Sequence, residues 1–186
     1  IGEVMKIEAK FREGLKTLLK TKPLDEINVV MLCEAVKSNR QTFYYHYRDI
    51  SDVIESMFLR ERIGFGVQPN DFDTISIPLV AYINNNYQFL YAVANSFASD
   101  KLQEFFYSYF YQRTIQYIKF FKGSNPIAQT DVNYIARYIS TLFSKECVYW
   151  VINKRKEKQT HLQRRLNLIW DYFIKEYSKE MRDVKW

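Results

Sequence analysis

The stretch INVVMLCEAVKSNRQTFYYHYRDISDVI, residues 27–54, decides the fold of this chain. Asn28 stands where a helix cap is expected, just before a short apolar run. The polar turn VKSN follows, and a second short helix is predicted over about residues 39–46. The next break, RDISD, offers Asp49 or Ser51 as the cap of a further helix. The stretch therefore predicts short helices joined by tight turns, the layout of a helix-turn-helix module.

The second short helix is predicted to have an inner and an outer face. Phe43 and Tyr47 lie one turn apart and are expected to face inward. At about 100° per residue, Gln41 and Tyr45 then point away from the core. Gln pairs bidentately with adenine in a major groove, and Arg40 in the first turn is suited to guanine. The outer face therefore predicts contact with DNA, although an ordinary solvated helix face is the alternative.

Flanking polar residues extend the predicted contacts. Tyr, Thr and His side chains hydrogen-bond to phosphate oxygens, and the free amides at the start of the first short helix can also meet a phosphate. For the turn lysine, an ordinary surface role is the alternative. The predicted contacts, besides Arg40, Gln41 and Tyr45, are Asn28, Lys37, Asn39, Thr42, Tyr44 and His46.

Longer amphipathic helices are predicted on either side of this module. Apolar residues three and four apart predict a helix over about 3–21, which Pro23 ends. A helix after RDISD is expected to run to about Gly64. GFGVQPNDFD, residues 64–73, is the best domain boundary, and we divide the chain at 66/67. The further helices are predicted over 76–95, 99–121, 130–153 and 159–180.

Composition favours an all-helical protein without an enzyme site. Among 186 residues, 15 Tyr and 14 Phe stand against 5 Gly and 4 Pro, and no sustained alternation predicts a strand. Two His, two Cys and no glycine-rich phosphate loop provide neither a catalytic set nor metal ligands. We therefore predict no enzymatic activity, metal or cofactor.

Charge and cysteine usage bound the setting. The net charge is +6, but residues 1–66 hold 11 Lys and Arg against 10 Asp and Glu, while residues 67–186 hold 16 against 11. This balance favours polyanionic partners only weakly. Cys33 and Cys147 are expected to be reduced, packed thiols. No apolar run approaches the ~20 residues of a membrane span, so a soluble, cytoplasmic protein with no membrane contact is expected.

An aromatic-rich helix is the second candidate site. FFYSYFYQRTIQYIKFF, residues 105–121, has aromatic residues all around it. These residues either line a ligand cavity or simply form core or subunit contacts. A ligand pocket is mostly apolar with a few polar anchors. The candidate ligand-binding residues are Phe106, Tyr109, Phe110, Arg113, Tyr117 and Glu146, and the charged ones are alternatively exposed groups or internal ion pairs.

Residues 27–54 resemble the DNA-binding domain of TetR-type bacterial transcription regulators. The family pattern is roughly T-V-x-x-I-A-x-x-A-G-V-S-x-x-T-[LF]-Y-x-[YH]-F, followed by a polar turn and a helix. Asn28 and Val29 take the place of T-V, and Asn39 that of the serine that opens the second helix. The likeness covers about residues 5–62. Its most specific matches are Thr42, Phe43, Tyr44, His46 and Tyr47.

The resemblance implies an all-α homodimer with an N-terminal three-helix helix-turn-helix domain (1–66) and a C-terminal helical bundle (67–186). In the family the bundle binds a small ligand and dimerises through its last two long helices. The likeness extends to a subgroup that includes regulators of dihydroxyacetone-kinase genes. The candidate interface residues are Trp150, Leu166, Ile169, Trp170 and Phe173, with core packing as the alternative.

The expected function is a ligand-responsive repressor that binds a palindromic operator in double-stranded DNA, with an unknown small-molecule effector. Lys37 replaces the turn glycine of the family, and Ile50 replaces a lysine that contacts phosphate. Together with the near-neutral first third, these departures keep open a co-regulator that has weak or no DNA binding and acts through a partner protein. A plain small-molecule carrier is a further alternative.

Overall fold

The computed structural model describes the backbone of residues 2–122, 127–153 and 159–183 and the side chains of residues 7–120, 127–153 and 160–172. The regular secondary structure of these described residues is helical, with one 3₁₀ turn at Leu24–Glu26 and no strand. The helices are α1 Gly2–Leu18, α2 Val29–Ala35, α3 Arg40–His46, α4 Ile50–Phe58, α5 Asp73–Asn85, α6 Tyr87–Ala94, α7 Ser99–Lys122, α8 Gln129–Asn153 and α9 Gln159–Asp183. The predicted all-α fold class is confirmed.

The chain forms two compact units. Unit 1 contains residues 1–61 and 86–105, and unit 2 contains residues 62–85 and 106–186. Unit 1 thus holds α1–α4, α6 and the start of α7, whereas unit 2 holds α5, the rest of α7, α8 and α9. The predicted domain division at 66/67 stays a prediction.

Unit 1 is organised around buried residues of α1. Phe11 and Leu15 lie one turn apart and are fully buried, as is Phe43 of α3. Helix α1 also lies close to the end of α2, because a Cβ added at Gly14 would collide with the Cγ1 of Val36. The apolar residues of the amphipathic helix α1 therefore form the face against which α2 and α3 pack.

A second set of contacts in unit 1 joins α4 to the segment 86–105. The ring of Phe58 stacks on Phe105, with centroids 4.6 Å apart, and lies 5.7 Å from Phe89. Beside these rings, Lys101 Nζ lies 2.8 Å from a carboxylate oxygen of Glu55. Apolar stacking and an ion pair therefore hold α4 against the start of α7.

Unit 2 has an aromatic core. Phe72 stacks on Trp170 at 4.5 Å and lies 5.4 Å from Phe143, and Phe143 meets Phe110 edge to face at 4.9 Å. Such pairs add to the stabilisation that burial of the rings provides. These four rings come from the segment before α5 and from α7, α8 and α9, so they tie the long helices together.

The predicted helix over 76–95 and the one predicted to run to about Gly64 differ most from the observed helices. The predicted 76–95 helix is α5 and α6, which are separate because the run Asn84–Asn86 is a poor helix former and Asn86 departs from helical geometry. Pro78 lies inside α5 rather than in a first turn, because α5 begins at Asp73 and not at 76. Helix α4 ends at Phe58 and not near Gly64, since Leu59 is already exposed and the buried periodicity stops.

No helix within the described residues combines the length and the apolarity that crossing a membrane requires.

Candidate nucleic-acid interface

Helix α3 is fixed to unit 1 by its two inward residues. The Phe43 ring meets Phe11 edge to face at 5.3 Å, and Tyr47 meets the same ring at 6.2 Å. Buried Arg12 donates a hydrogen bond of 3.1 Å to the Tyr47 hydroxyl, which also lies 3.3 Å from Ser56 Oγ. Phe43 is 0% exposed and Tyr47 is 7% exposed, so their predicted inward orientation is confirmed.

The opposite face of α3 is open. Gln41 and Arg40 are exposed, Tyr45 is 81% exposed and Tyr44 is 58% exposed. Two large aromatic rings on one short helix are seldom left in water without a partner. The face therefore offers donors, acceptors and apolar edges together, which is the chemistry that reads base edges and phosphates.

Both short helices begin at asparagine caps. The side-chain oxygen of Asn28 accepts a 3.0 Å hydrogen bond from the Met31 amide, and that of Asn39 accepts a 2.8 Å bond from the Thr42 amide. Thr42 itself is half-buried. Since a cap is worth about 0.5–2 kcal/mol, these asparagines position α2 and α3 whatever else they contact.

The turn between the two helices has an unusual backbone. Lys37 adopts φ 53°, the only positive φ of a non-glycine residue in the described chain. The Ser38 amide donates to the Cys33 carbonyl at 2.9 Å, and the Lys37 amide donates to that of Glu34 at 3.1 Å. This is a Schellman ending, in which glycine is usual. Lys37 is exposed and keeps the tight turn despite its side chain.

His46 lies differently from the prediction. Three steps of about 100° bring it to within about 60° of Phe43, on the side that faces α1. Its side chain is only 7% exposed, and its Nδ1 lies 3.6 Å from a carboxylate oxygen of Glu8. We therefore remove His46 from the contact set, because it serves to seat α3 on α1.

The segment between α3 and α4 contains a cation that sequence reasoning missed. Ile50 is buried, so the place of the family lysine is part of the core. Arg48, two residues earlier, has an 85% exposed side chain and a bidentate contact with Asp52. In the sequence, Arg48 is distinguished only by its position in the break RDISD, and that position does not reveal that it pairs with Asp52.

The six candidate ligand residues all have contacts inside unit 2. Phe106 and Phe110 are fully buried. The Tyr109 hydroxyl donates to the Ile75 carbonyl at 2.7 Å, and burial raises the Tyr109 pKa to about 12. Tyr117 packs edge to face on Trp170 at 4.9 Å, and burial raises its pKa. These contacts are those of a core.

The charged candidates are internal partners rather than free anchors. Glu146 Oε1 lies 2.6 Å from Arg165 Nε, as the ion-pair alternative expected. Arg113 donates to the backbone carbonyls of Val67 at 2.9 Å and Ile63 at 2.8 Å, and also to that of Gly64. We call this arrangement the Arg113 clasp. It requires glycine at 64, where φ is 60° and a Cβ would lie 2.9 Å from Arg113 Nη2.

The candidate interface residues are mostly core residues. Trp150 and Leu166 are 0% exposed, Trp170 is 3% exposed and Ile169 is half-buried, while the side chain of Phe173 lies outside the described residues. Side chains so buried in their own protomer present no surface to a second one. Sequence periodicity finds the apolar face of a helix but does not say which apolar residues stay outside.

The open, aromatic and capped α3 after a tight turn defines the class of protein as a helix-turn-helix transcription regulator. Residues 70–172 match the profile described as the C-terminal region of transcriptional regulators, of the TetR type, which is more than half of the chain. The chain belongs to the TetR family of transcriptional regulators.

One solved structure shows the same fold over nearly the whole chain. It is the dihydroxyacetone kinase operon activator DhaS, with a TM-score of 0.64 and 19% sequence identity over 90% of this chain and 96% of that chain. No curated protein sequence matches the chain. At this identity the likeness is one of fold.

We expect Lys37→Gly to stabilise the protein by about 1 kcal/mol, because glycine adopts a positive φ without the steric cost that lysine has. Chemical denaturation measures the change. Lys37→Ala is the matched control, since it removes the same charge but keeps a Cβ in the strained turn. Equal stability of the two variants would show that the turn is not strained.

We expect Arg113→Gln to destabilise the protein by about 2–3 kcal/mol, because hydrogen bonds from a charged donor to two partly buried carbonyls and one exposed carbonyl are lost. Hydrogen exchange should increase in residues 63–67. Arg137→Gln is the control, since its guanidinium lies on an exposed ring 5.6 Å away and its loss should cost about 0.5–1 kcal/mol. A similar small cost for both variants would contradict the clasp.

Proposed function

We propose that this regulator acts as a homodimer that binds a palindromic DNA operator through α3 and responds to a small-molecule effector. The observation that carries the proposal is the burial of Phe43 and Tyr47 behind an open face that presents Gln41, Tyr44 and Tyr45. A two-fold dimer with two such helices matches two half-sites of an operator.

The outer residues of α3 divide into readers and positioners. Arg40 and Gln41 have the side chains that pair bidentately with guanine and adenine. Tyr44 has a hydroxyl suited to a phosphate oxygen, while Tyr45 adds an apolar edge that fits a thymine methyl group. Lys37 supplies a cation from the turn. We therefore assign direct readout of bases to Arg40, Gln41 and Tyr45, and contact with the DNA backbone to Tyr44 and Lys37.

An exposed apolar stripe on α8 is the proposed dimer contact. The stripe is formed by Tyr134, Tyr138, Leu142, Tyr149 and Ile152, and each of these residues is 41–54% exposed. At 100° per residue they lie within an arc of about 80° around α8, opposite the buried face of the helix. Leu168 and Tyr172 of α9 are also exposed, at 70% and 71%. Tyrosine-rich surfaces of this kind are typical of subunit interfaces.

Effector binding is proposed for unit 2. Its buried Ser76 and Thr114 hydroxyls make no hydrogen bond within the described part of the chain. A polar group on a ligand can satisfy such atoms, whereas Arg113 is already engaged by the clasp. The effector acts by differential affinity for two conformations of the dimer.

The sign of regulation has two candidates. A repressor that releases DNA on binding its effector is the proposal from the sequence. The similar structure DhaS is named an operator activator, which favours the opposite sign. The near-neutral charge of residues 1–66 and the buried Ile50 favour the co-regulator alternative. In that case DNA affinity is weak, and a partner protein is recognised instead.

Binding-site selection with the purified protein tests the function directly. We expect one palindromic operator to be enriched, with Gln41→Ala relaxing preference at one base pair per half-site at a cost of about 1–3 kcal/mol. Tyr44→Phe should weaken binding to all sequences by a similar factor, and it serves as the control for Gln41→Ala. An unchanged selection profile for Gln41→Ala would refute base reading, and absence of any enriched sequence would favour the co-regulator.

Sedimentation or light scattering tests the dimer. Tyr138→Glu puts a charge in the middle of the stripe and should raise the dissociation constant of the dimer by roughly 30-fold or more, as at an interface hot spot. Gln112→Glu makes the same charge change at an exposed position of α7 and should leave the dimer intact. Equal behaviour of the two variants would place the interface elsewhere.

A further inference from the structure

Arg48 and Asp52 form the most complete ion pair of unit 1. Arg48 Nε donates to Asp52 Oδ2 at 2.8 Å, Nη2 donates to Oδ1 at 2.7 Å, and the Arg48 amide donates to Oδ2 at 2.9 Å. The carboxylate thus accepts three bonds from one residue. Those bonds lower the Asp52 pKa and raise the Arg48 pKa, so both groups stay charged and paired.

The pair stands directly beside the proposed DNA-reading helix. Arg48 follows the last residue of α3 by two positions, and Asp52 is in the first turn of α4. With Ile50 buried, Arg48 is the exposed cation next to the place where the family has its phosphate-binding lysine. An unpaired guanidinium here would be a strong phosphate ligand.

Other cations of unit 1 also have carboxylate partners. Glu8 lies 3.8 Å from Arg12 and 3.4 Å from Arg60, and Lys101 pairs with Glu55. In contrast, no described carboxylate forms an ion pair with Lys37 or Arg40, both of which are exposed. The positive charges of Lys37 and Arg40 are thus not offset by a described carboxylate, whereas that of Arg48 is.

We propose that Asp52 is a specificity-determining residue that restrains Arg48 and so limits sequence-independent binding to nucleic-acid phosphates. This rests on the proposed function of α3. A phosphate gains little from a guanidinium already held by a carboxylate, because the pair has no net charge and binding it releases few counterions. Since non-specific affinity comes from such contacts, restraining Arg48 leaves discrimination to the base-reading side chains.

The test measures the salt dependence of binding to a duplex of random sequence. Asp52→Asn keeps an acceptor oxygen but removes the charge, and it should steepen the slope of log K against log salt by about 0.9 per protomer. At 0.1 M salt the affinity for random duplex should rise roughly 3- to 10-fold. Asp100→Asn is the matched control, because it removes an exposed carboxylate at the start of α7 and should leave the slope unchanged.

Two further variants separate restraint from simple charge change. Asp52→Glu keeps a carboxylate and should retain the wild-type slope. The double variant Arg48→Gln with Asp52→Asn should return to the wild-type slope, because no released cation is left. If Asp52→Asn is too unstable to assay, Arg48→Lys replaces the two-point contact by a single one and should raise non-specific affinity to a smaller degree.

The outcomes distinguish this inference from the proposed function. Equal slopes for Asp52→Asn and Asp100→Asn would overturn the inference, as would a lower slope for Arg48→Gln alone, which would mean that Arg48 already contacts phosphate. Elution from heparin gives a readout that needs no operator, and Asp52→Asn should elute at higher salt than Asp100→Asn. A heparin shift without any selected operator would support the restraint and refute the proposed function.

Discussion

The orientation of α3 depends on the packing of Phe43 and Tyr47 against Phe11. A helix of two turns has no stability of its own, so its direction and rotation come from the residues it buries. The edge-to-face contact between Phe43 and Phe11 and the hydrogen bond from Arg12 to Tyr47 fix both. That rotation determines which side chains are exposed, because residues about 180° around the helix from Phe43 and Tyr47 point away from Phe11. All the proposed DNA contacts of α3 depend on it.

The turn between α2 and α3 keeps its tight backbone geometry although Lys37 is an unfavourable residue at its position. Lys37 occupies a left-handed position and has a steric cost that glycine would avoid. The two hydrogen bonds of the Schellman ending and the Asn39 cap on the other side determine the backbone, so the side chain does not change the path of the chain. Strain of this kind, placed beside a proposed contact surface, is consistent with a functional cation.

In residues 40–52, the role of a side chain depends more on the charged groups beside it than on its residue type. Arg40 and Arg48 are both exposed arginines within the same stretch, yet only Arg48 is held by a carboxylate. His46 and Tyr45 are neighbours in sequence, but His46 approaches Glu8 while Tyr45 is open to solvent. The same residue types therefore have different roles according to what the adjacent helices place next to them.

The sequence by itself determined the helical class, the cap at Asn28 and the inward orientation of Phe43, because these depend on local spacing and propensity. It also indicated the family from a run of matching residues. Only the tertiary structure decided that Arg113 donates hydrogen bonds to the backbone carbonyls within residues 63–67 and that Trp150 is a core residue. Those outcomes depend on contacts between segments far apart in the chain, and hydrophobic periodicity specifies a buried face without specifying its partner.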